Sequence, residues 1–278
     1  MIVITGATGT IGRALAERLA GQLTGHDVLA AVRRPADLPC PYALADLERP
    51  ETIGALLSPG DRLFLNSSLW PGFAAAHRAV IDLAARAGVA QVVTVSVRGA
   101  RPGGRLGGGM HGEVDEHLRA SGVPYAILQP TGFMQNLPGE VRDGRMYGSY
   151  GPGPVNYIDA RDIADVAAAL LTSPAGPGRD HVLTGPESLP HERIAERVGA
   201  ALGRPVRYVD LPVPEMAAHL ERQGMPAPFA TDLAALMAET GDGRWATTTT
   251  EVEAITGRPP RTLDDFLTDH RATFATTP

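Results

Sequence analysis

A glycine pattern near the start of the chain constrains the fold more than any other feature. In VITGATGTIGRALAERL, residues 3–19, three glycines spaced by two residues separate a strand pattern from a helical one. The first permits a tight turn, the second lets the main chain approach a pyrophosphate, and the third lets the helix lie close to the sheet. The pattern therefore predicts a dinucleotide site at a helix N-terminus. The residues expected to hold the phosphates are Gly6, Thr8, Gly9, Thr10, Ile11 and Gly12.

Short apolar segments alternate with helical patterns through the first half of the chain. This alternation is typical of a parallel sheet that is covered by helices on both faces. The segments between the strands place apolar residues at three- and four-residue spacing, as crossover helices do. We predict an α/β fold with a Rossmann-type doubly wound parallel sheet. The predicted strands are 2–5, 27–32, 42–45, 62–66, 91–96 and 124–129.

The character of the sequence changes at residue 136. The stretch NLPGEVRDGRMYGSYGPGP is rich in glycine and proline, and the patterns near the end of the chain are mostly helical. We predict a dinucleotide-binding domain over 1–135, to which the chain returns at about 155–185. A smaller, mainly helical C-terminal subdomain, formed by 136–154 and 186–278, would cover the substrate.

Two arginines follow the second predicted strand. An acidic residue there would bind the ribose 2′-hydroxyl of NAD, whereas Arg33 and Arg34 offer guanidinium groups to a 2′-phosphate. A charge-assisted contact contributes roughly 1.5–3 kcal/mol, so one arginine is enough for a tenfold preference for NADP. The alternative is that one of them, Arg34 in particular, is only solvated, and Asp37 would weaken the preference. Asp46, after the third strand, lies either near the adenine or at the start of the next helix.

The composition excludes several mechanisms. All 25 basic residues are arginine, so neither a lysine Schiff base nor a Tyr-x-x-x-Lys pair can operate. Cys40 is the only cysteine, which excludes an intrachain disulfide, and we expect no metal site. The excess of 31 acidic over 25 basic residues argues against a nucleic-acid surface. Because the chain opens on a strand pattern and no apolar run approaches the roughly 18 residues that span a bilayer, we expect a cytoplasmic protein without a leader.

Together with the glycine motif and the two arginines, four later segments resemble the NmrA-like branch of the atypical short-chain dehydrogenases. They are HGEVDEHLRASGVPYAILQPTGFMQN, NYIDARDIADVAAALL, LTGPE and EAITGRPPRTLDDFLTDH. That branch includes NADPH-dependent quinone reductases, isoflavone-reductase-like enzymes and redox-sensing regulators. The resemblance covers nearly the whole chain. It implies a Rossmann domain that binds NADP(H) and a smaller subdomain that closes over the nicotinamide.

The resemblance also implies site residues at the carboxyl ends of the strands, where ligands of such sheets bind. Two departures from the family concern the substrate contacts. Gln129 stands where relatives commonly have arginine, and VSVRG replaces a double serine after the fifth strand. The residues implied for the cofactor are Asn66, Ser67, Ser96, Pro130, Thr131 and Phe133, and those implied for the border of the substrate pocket are Asn136 and Tyr157.

His111 is the first candidate for catalysis. It lies beside the expected buried stripe of the helical pattern 110–122 and four residues before Asp115. In the first turn of a helix a charged imidazole is disfavoured, so a neutral His111 would donate a hydrogen bond to a substrate oxygen. The alternative is that His111 packs against the glycine-rich segment 100–109 or pairs with Asp115. Further proton-donor candidates are Tyr157 and two tyrosines in the stretch that should border the substrate pocket, Tyr147 and Tyr150.

These residues support three hypotheses. The leading one is an NADPH-dependent reductase that transfers a hydride to a small quinone, enone or ketone without a Tyr-Lys pair. Quinones suit the missing pair because their reduction needs little protonation during hydride transfer. The alternatives are a non-catalytic NADP(H)-sensing protein that regulates a protein partner, and a redox-neutral isomerase, cyclase or lyase in which His111 and a tyrosine act as acid and base. We expect a small-molecule substrate, a monomer or homodimer, and no nucleic-acid or membrane partner.

Overall fold

A computed structural model describes residues 1–23 and 27–275 of the chain. These residues divide into two compact units. The first unit contains the described residues of 1–130 together with 160–183 and 251–258, and the second contains 131–159, 184–250 and the residues from 259 onward. Among the residues that the structure describes, no helix combines the length and the apolar character needed to span a bilayer.

The helices and strands follow one another closely. Up to residue 130 they are β1 (Ile2–Thr5), α1 (Thr10–Ala20), β2 (Val28–Val32), β3 (Tyr42–Leu44), α2 (Pro50–Gly54), β4 (Arg62–Leu65), α3 (Phe73–Ala87), β5 (Gln91–Val95), α4 (Gly107–Ala120) and β6 (Tyr125–Pro130). They continue with β7 (Gly132–Phe133), a 3-10 turn (Met134–Asn136), α5 (Leu137–Glu140), β8 (Val141–Arg142), β9 (Arg145–Gly148), β10 (Pro154–Ile158), α6 (Ala160–Thr172), β11 (Arg179–Leu183) and β12 (Ser188–Pro190). The last are α7 (His191–Leu202), β13 (Arg207–Asp210), α8 (Val213–Arg222), α9 (Ala227–Gly241), α10 (Glu251–Thr256), α11 (Leu263–Asp269) and α12 (Arg271–Ala275).

The first unit is built on a parallel sheet with the strand order β11-β6-β5-β4-β1-β2-β3. The order reverses beside β1, which pairs with β2 on one side and with β4 on the other. In open α/β sheets this switch point forms a crevice for ligands at the carboxyl ends of the strands. The topology confirms the predicted Rossmann-type fold.

Apolar strand and helix residues form the core of the first unit. Val3, Leu63, Val92 and Ile127, from four neighbouring strands, are fully buried in one cluster with residues of α3 and α4. α1 and α6 pack against each other as a separate pair. α3 ends at Gly88, whose φ of +69° favours glycine because it has no Cβ. The sheet is therefore wrapped by helices in the manner that the alternating pattern predicts.

The second unit combines helices with two small sheets. One sheet has the strand order β12-β10-β7 and the other β13-β9-β8. α7 and α11 contribute apolar residues to a core with β9 and β10, while α8 and α9 form a helical hairpin around the buried Met216 and Met237. The sequence does not predict most of these strands, because they span only two to five residues among glycines and prolines.

The two units begin and end at residues different from those of the predicted domains. Residues 131–135 and 155–159, which the sequence assigns to the dinucleotide domain, fall in the second unit, where β10 pairs with β7 and β12. Residues 251–258 fall in the first unit. Their helix, α10, packs on α6 and β11, and Glu251 of α10 forms an ion pair with Arg179 and a hydrogen bond with His181 of β11.

Candidate functional site

The phosphate loop has a geometry that only glycine satisfies. Gly6 has a φ of +66°, and a Cβ there would lie 2.6 Å from the carbonyl oxygen of Asn66. A Cβ on Gly12 would lie 2.1 Å from the carbonyl oxygen of Gly6. The N–H of Gly9 donates to that same carbonyl at 2.9 Å and closes the turn. The loop is therefore locked against the end of β4 and the start of α1, as a dinucleotide site requires.

The N-terminus of α1 presents donors for a phosphate. Gly9 precedes the helix without a side-chain cap, so the first helical N–H groups have no partner from a capping side chain. Thr8, Gly9 and Thr10 are exposed, whereas Ile11 and Gly12 are buried. Thr8 and Thr10 thus have hydroxyls available for a ligand, and Ile11 has only its main chain. This part of the chain fits a pyrophosphate.

Three exposed arginines lie after β2 or in the first turn of α1. Arg33 and Arg34 follow β2, are exposed, and have no hydrogen-bond or ion-pair partner among the described residues. Arg13 of α1 reaches toward the same loop and donates to the main-chain carbonyl of Asp37 at 3.2 Å. The carboxylate of Asp37 therefore does not neutralise Arg13. Sequence reasoning missed Arg13, although its place directly after Gly12 was a usable signal.

The polar residues at the ends of β3 and β4 are held by local hydrogen bonds. Asp46 accepts from the N–H of Glu48 at 3.1 Å and so closes the turn before α2. The Thr5 hydroxyl bonds the main chain of Asn66 and fixes it beside the phosphate loop. Ser67 donates to the carbonyl of the next residue and lies 3.4 Å from the His77 ring. Asn66 and Ser67 are half-buried, so both remain accessible at the end of β4.

Ser96 and Asp115 form a buried pair at the end of β5. The Ser96 hydroxyl donates to Asp115 Oδ2 at 2.6 Å, and both side chains are almost fully buried. Burial raises the pKa of Asp115 to about 6, against the opposing effect of the Ser96 hydrogen bond. No partner is found for Asp115 Oδ1 in the described part of the chain. The hydroxyl of Ser96 donates to Asp115 and its main-chain N–H donates to the carbonyl of Leu128 at 2.7 Å, so both donors of Ser96 are already used inside the protein.

His111 is packed inside the first unit. α4 begins at Gly107, so His111 lies in the second turn of the helix, whereas the sequence placed it in the first. Its ring meets the edge of Phe73 with 4.8 Å between centroids, and Asp115 bonds Ser96 instead of His111. Burial lowers the pKa of His111 to about 4. The imidazole is therefore neutral at pH 7 as predicted, but burial rather than the helix dipole is the cause.

The predicted residues after β6 fall on both sides of the division between the units. Pro130 ends β6 in the first unit, and its carbonyl accepts from the N–H of Arg98 at 3.0 Å. Thr131 begins the second unit and donates to Asn156 Oδ1 at 2.8 Å. Phe133 is half-buried and Asn136 is exposed.

A tyrosine–histidine cluster lies in the second unit. The Tyr157 hydroxyl is 3.0 Å from Nε2 of His191 and 3.4 Å from the Tyr150 hydroxyl. The Tyr150 ring stacks on His191 with 3.6 Å between centroids and an angle of 8°. Burial, followed by the negative charge of Glu140, raises the pKa of Tyr157 well above its ordinary value and that of Tyr150 in the same direction. Both hydroxyls therefore keep their protons at neutral pH.

Polar neighbours fix this cluster. Tyr208 donates to Asp210 at 2.7 Å and accepts from the main-chain N–H of Tyr150 at 2.9 Å. Burial raises the pKa of Glu140, at the end of α5, to about 7. Tyr147 lies apart from these hydrogen bonds, because its ring packs on His219 with 4.3 Å between centroids. Sequence reasoning found the tyrosines but missed their partners His191 and Glu140, which no local spacing connects to them.

Metal-dependent chemistry has no assembled ligand set here. Within 1–23 and 27–275, no three His, Cys, Asp or Glu side chains converge in a way that would hold a metal ion. The parallel sheet, the closed glycine loop and the arginines after β2 instead define a dinucleotide-binding α/β protein.

Residues 6–174 match a protein-family model described as NAD(P)H-binding. The chain belongs to this family and is an NAD(P)H-dependent oxidoreductase. It is 34% identical over 283 residues to an NAD(P)H azoreductase of Xenophilus azovorans, and the match covers 99% of both chains.

Solved structures share the fold over almost the whole length. An NADPH-dependent quinone oxidoreductase from Escherichia coli, in complex with NADPH, has a TM-score of 0.86 at 26% identity and covers 97% of this chain and 99% of its own. NmrA, a negative transcriptional regulator in complex with NAD, has a TM-score of 0.74 at 16% identity over 96% of this chain and 94% of its own, which shows the fold alone. The predicted resemblance is thus confirmed for the NAD(P)H-binding family and for the fold.

Proposed function

We propose that this oxidoreductase uses NADPH to reduce a small quinone or a related acceptor such as an azo dye, an enone or a ketone. The first unit would bind the cofactor, and the second would carry the side chains that contact the substrate. The observation that carries the proposal is the closed glycine loop beside two exposed arginines that have no partner among the described residues. The similarity to an azoreductase along the whole chain supports the choice of acceptor.

The preference for NADPH depends on the arginines. Arg33 and Arg34 stand where a 2′-phosphate would lie, and Arg13 adds a third positive charge beside them. A guanidinium group already paired with a carboxylate would gain little from a phosphate, whereas these exposed groups gain the full contact. NADPH supplies the hydride when it is bound. Gly6, Thr8, Gly9, Thr10, Ile11 and Gly12 would hold its phosphates, with Asn66, Ser67 and Pro130 at the neighbouring strand ends.

Tyr157 is the residue that we assign to polarise the substrate. Its hydroxyl keeps its proton and is held by His191. A hydroxyl with a raised pKa keeps its proton at neutral pH, so it can donate a hydrogen bond without transferring the proton. That property suits an acceptor whose reduced oxygen is a stable anion, as the phenolate of a hydroquinone is. Quinones are therefore better matched to this residue than simple ketones are.

The other predicted site residues have supporting roles in the proposal. Tyr150 is half-exposed beside Tyr157, and Tyr147 and Asn136 are also accessible in the second unit. Thr131 and Phe133 would position the nicotinamide end, and Ser96 after β5 would have only its carbonyl to contribute, because its N–H donates to Leu128. Asp46 is held in a turn, from which it would approach the adenine. His111 is packed against Phe73, so we assign it no direct contact with the substrate.

A panel of acceptors tests the proposal. The purified protein is mixed under nitrogen with NADPH or NADH and one acceptor, which is a benzoquinone, an azo dye, an enone or a simple ketone, and loss of reduced cofactor is followed by absorbance. We expect the quinone or the azo dye to be reduced fastest, with kcat/KM about tenfold or more higher for NADPH than for NADH. NADPH that binds without oxidation by any acceptor would support the sensing protein instead. Product that forms without loss of NADPH would support a redox-neutral enzyme.

A further inference from the structure

His191 has one polar partner in a setting that is otherwise aromatic. It is 1% exposed at the first residue of α7. Tyr150 covers one face of its ring, and the Tyr157 and Tyr208 rings lie 5.7 Å and 5.3 Å away between centroids. The Tyr208 hydroxyl is already used by Asp210 and by the main chain of Tyr150. Among the described residues, the Tyr157 hydroxyl is therefore the hydrogen-bond partner of His191 Nε2.

The second ring nitrogen decides which atom carries the proton. Nδ1 of His191 is buried and has no hydrogen-bond partner in the described structure. A buried N–H without an acceptor is rarer in proteins than an acceptor without a donor. Nδ1 is also the ring nitrogen nearer the main chain, which here is the first turn of α7, and the positive dipole end there favours a lone pair over an N–H. Both considerations place the single proton of the neutral ring on Nε2.

This tautomer gives the Tyr157 hydroxyl a direction. If Nε2–H of His191 donates to the Tyr157 oxygen at 3.0 Å, the hydroxyl hydrogen of Tyr157 must point away from His191. It then lies on the side of Tyr150, a partly buried residue whose hydroxyl is 3.4 Å away. That separation is longer than an ordinary O–H···O bond, so Tyr150 holds the hydrogen only weakly and a ligand oxygen can take it.

We propose that His191 is a positioning residue that donates from Nε2 to Tyr157 and thereby aims the Tyr157 hydroxyl hydrogen toward Tyr150. The proposal rests on the proposed function only in taking Tyr157 to contact the substrate. Burial lowers the pKa of His191 to about 3, with a smaller opposing effect from Asp210, so the ring stays neutral wherever the folded enzyme would work. Hydrogen bonds in such a row strengthen one another, and the Tyr157 hydroxyl becomes a better donor.

Nitrogen-15 NMR of the histidine ring tests the tautomer without any turnover. The two-bond correlations between ring nitrogens and ring C–H protons are recorded on the full chain at pH 7, and the His191 signals are identified by their absence from H191Q. We expect a protonated Nε2 and an unprotonated Nδ1. A proton on Nδ1 would overturn the proposal, whether or not the protein reduces any acceptor. Failure to reduce acceptors with the expected tautomer would count against the proposed function alone.

A matched set of variants tests the effect on the substrate. Gln at position 191 keeps an N–H donor where Nε2 was, whereas Met has similar length and no donor. We expect H191Q to keep kcat for a benzoquinone within about threefold and H191M to lower it about tenfold, with KM for NADPH unchanged, which is the loss expected for one hydrogen bond. Y157F/H191M should be no slower than Y157F, because His191 acts only through the Tyr157 hydroxyl, which Y157F already lacks.

His270 supplies the control. It also belongs to the second unit, stacks on an aromatic ring (Phe266, 4.5 Å between centroids) and has a buried ring nitrogen without a partner among the described residues. H270M should leave kcat unchanged. Equal kcat in H191M and the wild-type enzyme, or equal losses in H191M and H270M, would overturn the proposal. If H191M does not fold, a loss in H191Q as large as that in Y157F would do the same.

Discussion

The two units each bury a histidine, and the two side chains have opposite surroundings. His111 lies against the edge of Phe73, and the described residues provide no hydrogen bond to its ring. His191 is more deeply buried and is 3.0 Å from the Tyr157 hydroxyl. Burial lowers the pKa of both, to about 4 and about 3. The lowered pKa therefore shows only that both histidines are buried. They differ in that His191 has a hydroxyl within hydrogen-bond distance and His111 has none among the described residues.

The first unit adds a second contrast. Its proposed ligand-binding groups are main-chain N–H groups, which would donate hydrogen bonds, and arginine side chains, which would contribute positive charge. The features of the second unit are hydroxyl and ring groups in a buried cluster. We infer that the first unit determines which cofactor binds and the second determines what is done to the substrate.

The largest expected effect is on kcat, and we expect it for a residue of the second unit but not for the buried histidine of the first. Tyr157→Phe should lower kcat for a benzoquinone about 100-fold, because it removes the donor to the substrate oxygen. His111→Leu should change kcat by less than about threefold, because its ring only fills space. Steady-state kinetics with NADPH would measure both, and the affinity for NADPH should be the same in each variant. A larger loss in His111→Leu than in Tyr157→Phe would reverse the comparison.

The next largest effect is on the affinity for the cofactor, and it comes from substitutions in the first unit alone. Arg33→Ala and Arg34→Ala should each raise Kd for NADPH about tenfold and leave Kd for NADH within about twofold, since only NADPH carries the 2′-phosphate. Fluorescence titration of each cofactor gives these values. Arg49→Ala, an exposed arginine before α2, is the control. Equal changes in Kd for NADPH and NADH would mean that the arginines do not contact the 2′-phosphate.

The smallest effect is on stability in acid. Unfolded His111 would take up a proton near pH 6.5, whereas the folded residue does so near pH 4, so its contribution to stability is present above pH 6.5 and is lost as the pH falls toward 4. Between pH 7 and pH 5.5 the loss is about 1 kcal/mol. Urea unfolding at both values should show a smaller loss in His111→Leu than in the wild-type protein. Asp115, whose pKa is raised, acts in the opposite direction but cancels in this difference.

His117→Leu is the control for acid stability. His117 lies on the same helix but is partly exposed and paired with Asp82 at 2.7 Å. Its replacement should not reduce the loss between pH 7 and pH 5.5 as His111→Leu does. If both variants lose stability as the wild-type protein does, burial of His111 is not the source of the acid sensitivity.

Much of the first unit could be predicted because its signals are local. The six predicted strands correspond to β1–β6 and begin and end within one residue of them. The phosphate loop is encoded by glycines that lie within seven residues of one another, from Gly6 to Gly12. Most of the second unit could not be predicted, because its pairings are not local. β10 pairs with β7, which precedes it in the chain, and with β12, which follows it. α10 lies late in the chain but belongs to the first unit, where Glu251 pairs with Arg179.

The sequence by itself determined the parallel sheet, the glycine loop and the arginines after β2, because each depends on residues that are neighbours in the chain. It also determined that no lysine takes part in the chemistry. Only the tertiary structure shows that His111 packs on Phe73 and that His191 lies 3.0 Å from the Tyr157 hydroxyl. Hydrogen bonds between buried side chains depend on how distant elements pack, and Tyr157 of β10 meets His191 of α7 across 34 residues of sequence. No periodicity connects two such positions, so their pairing emerges only when the chain is folded.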